Sequence, residues 1–108
     1  MNIDTIRDYS LQKPFVTEGF PFGDSLIVFK VNGKVFLLVS LDSIPLQFNV
    51  KCDPEKAIVL REEYPTAVLP GYHMNKKHWN TILVDGSLSR KQIFQMIDDS
   101  YRLVGKKK

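Results

Sequence analysis

The sequence predicts an α+β fold, a two-layer sandwich in which an antiparallel sheet carries helices on one face. Three observations carry this. First, Asn32-Gly33 separates two runs rich in β-branched and aromatic residues, 26–31 and 34–41. Asn-Gly in that setting is a strong hairpin signal, because a type I′ turn needs positive φ at both central positions. Second, residues 45–51 alternate cleanly, Leu46, Phe48 and Val50 to one side and Gln47, Asn49 and Lys51 to the other. That is the pattern of an antiparallel strand with one wet face. Third, stretches of helical spacing lie before and after a further strand at 79–85, and the short local connections favour this order over a doubly wound parallel sheet.

The elements follow in order. Asn2 caps a helix with Ile3, Ile6 and Tyr9 near helical spacing, which must end by Lys13 because the residue before Pro14 is pushed out of the α region. Residues 15–25, FVTEGFPFGDS, hold two glycines, a proline and three phenylalanines, and are expected to form an ordered loop whose aromatics plug the core. In the hairpin Ile27, Phe29 and Val31 share one face, as do Val35, Leu37, Val39 and Leu41. Leu26, Val28, Phe36 and Leu38 lie opposite, so the hairpin is expected to be central and partly covered on both sides. Pro45 suits the start of the next strand, where no ladder donor is required. Asp53 caps a helix with Pro54 at its first position; Ala57, Leu60 and Tyr64 form its buried stripe and Pro65 stops it. Asp85-Gly86 turns the chain, and Ser89 with Gln92 resembles a capping box. Ile93, Ile97, Tyr101 and Val104 line one face of the closing helix. The expectation is one domain over residues 1–105, followed by a basic tail, 106–108, that frays in solvent.

Composition narrows the function classes. A chain of 108 residues with 44% hydrophobic and 11% aromatic residues can bury one core. The single cysteine excludes an internal disulfide and a cysteine-rich zinc module. No secretory pattern opens the chain and its longest apolar run, VFLLV, is too short for a bilayer, so the expectation is no membrane partner and a reducing cytoplasm. The net charge of +3 is owed to the three terminal lysines. Local asymmetry is more telling: between Glu63 and Asp85 there is no acid, while Lys76, Lys77 and both histidines fall inside.

Candidate chemistry is sparse. Cys52 precedes a helix start, where a thiolate gains stability, yet no histidine pairs with it in sequence, so it reads as a small core or boundary residue. His73 and His78 are poorly spaced for a shared helical face and no compact ligand set surrounds them, so no metal and no cofactor is expected. Asp53 with Glu55, Glu62 with Glu63, and Asp98 with Asp99 read as ordinary helix-end or helix-surface pairs. No catalytic residues, and no enzyme activity, are expected. The remaining candidate is YHMNKKHWN, residues 72–80. Its lysines and histidines can meet phosphate oxygens, and its asparagines can bond to backbone or base edges. A folding loop accounts for the same residues, with Trp79 in the core and Asn75 or Asn80 capping turns.

The segment PGYHMNKKHWNTILVDGS, residues 70–87, resembles the signature of the MmcQ/YjbR family of small bacterial proteins. TEGFPFGD at 17–24, KCDPE at 51–55 and the closing helix at 97–104 are similar to other parts of that family's pattern. The resemblance implies a CyaY-like fold, the architecture of bacterial frataxin, and a proposed DNA-binding role through a variant of the double-wing arrangement. It implies no catalytic residues. Frataxin's iron-binding role does not transfer, since the first helix holds only Asp4 and Asp8. Mapped onto this chain, Lys76 and Lys77 are the expected phosphate contacts, with His73, Asn75 and His78 as polar neighbours. Lys51, on the wet side of its strand, extends the surface. The expected partner is DNA, bound weakly and largely through phosphates. The alternative is a non-enzymatic adaptor for a small ligand or a protein, in which the same segment forms a pocket beside the aromatic TEGFPFG stretch.

Overall fold

The computed structural model describes residues 1–71 and 74–105. Asn2 caps α1 (Ile3–Leu11), its side-chain oxygen accepting the Thr5 amide at 2.9 Å. An edge strand β1 (Val16–Gly19) follows, and β2 (Leu26–Val31) and β3 (Lys34–Ser40) form the expected hairpin, with Asn32 and Gly33 at φ 51° and 79°. Then come β4 (Leu46–Lys51), α2 (Pro54–Glu63), β5 (Val68–Pro70), β6 (Trp79–Val84) and α3 (Arg90–Gly105). The six strands make one antiparallel sheet in the order β1-β2-β3-β4-β6-β5. The hairpin is central, as its two apolar faces require.

One face of the sheet meets all three helices. Ile27, Phe29, Leu37, Val39, Phe48 and Ile82 pack with Ile6 of α1, Ile93 and Ile97 of α3, and partly buried Leu60 of α2 in a single cluster. Each fully buried Phe or Ile contributes roughly 1.5–3 kcal/mol relative to its exposed state. The helix ends hold as the sequence dictates. Asp53 accepts the Glu55 and Lys56 amides at 3.0 and 3.4 Å, and Ser89 and Gln92 bond reciprocally at 2.8 and 3.1 Å.

Two expectations are corrected. Residues 15–25 are not a core-plugging loop: 16–19 pair with β2 as an edge strand, and Phe15, Phe20 and Phe22 stand 75%, 50% and 69% exposed. The sheet and helix aliphatics already fill the interior, and a four-residue strand with Thr, Glu and Gly has too little pattern to announce itself. Strand β5 is a second short edge captured by pairing with β6. The second correction concerns Phe36. Phe29 pairs with Leu37 but Lys30 pairs with Val35, so Phe36 is the extra residue of a β-bulge and turns into the core cluster.

The bulge has a partner in α3. Leu37 and Val50 form the last rung between β3 and β4. The next would join the Lys51 amide to the Phe36 carbonyl, and the Ser100 hydroxyl occupies that place. It accepts from Lys51 N at 2.9 Å and donates to Phe36 O at 2.6 Å. The two strand ends are therefore bridged by a fully buried serine, which satisfies both the Lys51 amide and the Phe36 carbonyl.

Helices α1 and α3 are joined by Tyr9. Its ring stacks on Phe94 at 3.8 Å and its hydroxyl donates to the Asp98 carboxylate at 2.7 Å. Burial and then the Asp98 carboxylate push the Tyr9 hydroxyl up to about 12 from 10.0. A raised folded-state value means that its contribution is complete below the unfolded value and is lost as pH climbs from 10 to about 12. Urea unfolding across that window should show falling stability in the wild type and a flatter profile in Tyr9→Phe. Equal slopes would remove Tyr9 as the cause.

The connections divide between the two ends of the sheet. The Asn32-Gly33 turn, the β4–α2 junction, the β5–β6 loop and the C-terminal end of α3 share one end. The loops at 20–25, 41–45 and 85–89 share the other.

Candidate nucleic-acid interface

The β5–β6 connection holds most of the candidate residues. Gly71 opens it because nothing larger fits: a Cβ there would lie 2.9 Å from the Trp79 Cβ and 3.0 Å from the Trp79 carbonyl oxygen. Gly71 N donates to that carbonyl at 2.9 Å. Asn75 then shapes the turn. Its side-chain oxygen accepts the Lys77 amide and its carbonyl accepts the His78 and Trp79 amides, each at 3.0 Å. Asn75 therefore serves the fold first, and only its side-chain NH₂ is left for a ligand.

Arg61 of α2 fastens this loop from outside. Its Nε donates to the Asn80 side-chain oxygen at 2.7 Å, and one terminal nitrogen donates to the Trp79 carbonyl at 3.2 Å and to the Lys76 carbonyl. From the strand side, Cys52 N donates to the His78 carbonyl at 2.7 Å. The backbone of 75–80 is thus held by two neighbouring elements, while the side chains of Lys76 and Lys77 are exposed and enter no ion pair among the described residues.

Lys51 belongs with this group. It pairs with Trp79 across β4 and β6, on the sheet face turned away from the helices. Trp79 lies on that same face, half-buried and outside the core cluster, so it is not the core residue that a folding-loop reading expects. His78 is half-buried and contributes its backbone. His73 and the tail lysines lie outside the described residues. Sequence reasoning missed Arg61, whose setting on a charged helix surface resembles many solvated arginines.

Among the described residues, this segment and TEGFPFG do not lie side by side. Strands β2, β3 and β4 separate β1 from β6, because the hairpin and its neighbour fill the centre of the sheet. Cys52 is 6% exposed, and burial pushes its thiol above the ordinary range, as suits a structural cysteine. Among the described residues no three His, Cys, Asp or Glu side chains gather as a metal set, and no helix is long and apolar enough to cross a membrane.

Fold and segment together define a class of small α+β protein known from bacteria. A family model described as YjbR matches residues 11–103, and the chain belongs to the YjbR family. It is 40% identical over 102 residues to the uncharacterized protein YbdF of Escherichia coli O157:H7, covering 94% of this chain and 82% of that one. With the uncharacterized protein YjbR of Escherichia coli K12 the identity is 31% over 102 residues, covering 94% and 86%. The crystal structure of Deinococcus radiodurans protein DR2400, with a DUF419 domain, superposes with a TM-score of 0.93 at 36% identity, covering 98% of this chain and 80% of that one. A Pseudomonas syringae crystal structure follows at 0.79 and 28%, covering 96% and 99%.

Proposed function

We propose that this protein is a non-enzymatic, cytoplasmic nucleic-acid-binding domain that meets DNA weakly and mainly through its phosphates. The observation that carries the reading is the pair Lys76 and Lys77: two exposed cations on a backbone held by Arg61 and Cys52, inside a stretch without an acid from 64 to 84. A fixed backbone lowers the entropy lost when the lysines engage, and no carboxylate within that stretch competes with phosphate. Lys51 stands in register beside the same segment. Two to four phosphate contacts give a salt slope of roughly −2 to −4 and modest affinity.

The test is a salt titration of DNA binding by fluorescence anisotropy, with Lys76→Ala/Lys77→Ala beside the wild type. The double variant should weaken binding to all sequences alike and reduce the slope by about 2. Its melting temperature should hold, since neither side chain is buried or enters an ion pair among the described residues. Unchanged affinity and slope in a folded double variant would sink the reading.

A further inference from the structure

At the β4–α2 junction, near the end of the sheet where Ser100 bridges β3 and β4, lies a cleft of about 780 Å³. Val31, Tyr101, Leu103 and Phe15 supply its apolar wall. Phe15 is 75% exposed and held at φ 64°, a conformation costly for an aromatic residue, with its carbonyl accepting the Asn32 amide at 3.3 Å. The polar part of the lining holds Asp53, and Asp99 between two cations, with Asp99 and Arg102 on the same helix as Leu103. Lys56 donates to one carboxylate oxygen at 2.7 Å, and Arg102 to the other at 2.6 Å. Burial pushes the Asp99 carboxyl up, but the bonds from Lys56, Gln95 and Arg102 outweigh that and hold it below the usual range. Asp99 is consumed by these bonds. Lys56 and Arg102 line the same cleft and, with side chains 52% and 64% exposed, keep further donors.

The cleft thus brings aromatic and aliphatic surface together with hydrogen-bond donors. Cys52, on its wall, bonds directly to the backbone of His78, so Lys77 is only one residue beyond that contact. We propose that the cleft receives an unpaired nucleotide, with its base against Phe15 and Leu103 and its carbonyl edge toward Lys56 and Arg102. The adjoining phosphate then falls to Lys76 and Lys77. The ligand chemistry is that of a planar heterocycle with acceptor atoms and an attached anion, and a base within a duplex cannot present it. This rests on the nucleic-acid reading above and adds a strand preference: single strands over duplexes.

The experiment compares anisotropy titrations of a labelled oligothymidylate and a labelled duplex. The proteins are wild type, Phe15→Ala, Leu103→Glu and Lys76→Ala/Lys77→Ala. The wild type should favour the single strand. Phe15→Ala and Leu103→Glu alter exposed side chains, and each should weaken oligothymidylate binding by about tenfold while leaving duplex binding unchanged. The lysine double variant should weaken both. Added dTMP separates two sources of the same chemistry: displacement of the strand supports a site complete for a free mononucleotide, and retention supports one that needs neighbouring phosphates. If both cleft variants bind oligothymidylate like the wild type while the lysine variant is impaired, the cleft inference falls and the phosphate reading stands. If the wild type binds neither probe, both fall.

Discussion

Arg61→Ala should melt roughly 10–20 °C below the wild type and lose amide protection through residues 76–80. The Arg61 guanidinium holds three acceptors. It serves the Asn80 side-chain oxygen, the Trp79 carbonyl and the Lys76 carbonyl at once. Asn80 is only 1% exposed, so truncation strands a buried acceptor that water does not reach. Hydrogen bonds to charged donors contribute about 1.5–3 kcal/mol, and an orphaned buried acceptor costs a comparable amount. A net loss near 2–3 kcal/mol corresponds to that fall in melting temperature for a domain of this size. Arg61→Lys should rescue little, because one ammonium group cannot span three acceptors that a planar fork reaches. DNA affinity should fall with the loop's order even though Lys76 and Lys77 remain. A variant that melts within a couple of degrees of the wild type would show that the loop holds itself.

Ser100→Ala should cost about 1–3 kcal/mol, or roughly 5–20 °C in melting temperature. The substitution is nearly isosteric, so lost packing cannot explain a change of that size. What it removes is the single hydroxyl that satisfies both the Lys51 amide and the Phe36 carbonyl. The alanine methyl keeps the strands too far apart to bond directly, and α3 seals the site from water at 0% exposure. Thermal melts with hydrogen exchange at the Lys51 amide check the mechanism. Faster exchange there with lower stability supports it. An unchanged melting temperature would mean that the strands close and form the missing rung themselves.

Much of the fold was legible because local chemistry and tertiary structure agree. Asn32-Gly33, Asp53-Pro54 and Ser89 with Gln92 each act within a few residues, and each forms the turn or cap that its chemistry dictates. The alternation of Phe48 and Val50 against Asn49 and Lys51 likewise survives intact. What escaped depends on distant partners. Strand β1 exists through its pairing with β2, and the inward turn of Phe36 follows from a one-residue bulge that periodicity cannot register. The candidate site divides the same way. Lys76 and Lys77 stand out by composition, whereas Arg61 matters only because folding brings α2 beside the β5–β6 loop. The cleft is less legible still, since its walls come from the approach to β1, from β2, from the β4–α2 junction and from α3.

The position of Trp79 gives the molecule an internal optical probe. It is the only tryptophan in the chain, half-buried at the start of β6 and seated against Gly71 where the loop begins. Indole emission shifts with the polarity and ordering of its surroundings, and stacked bases quench it. Here the whole signal arises at the base of the loop, beside Lys51. Changes in that light therefore follow this corner of the protein alone, undiluted by emission from a second indole in the core.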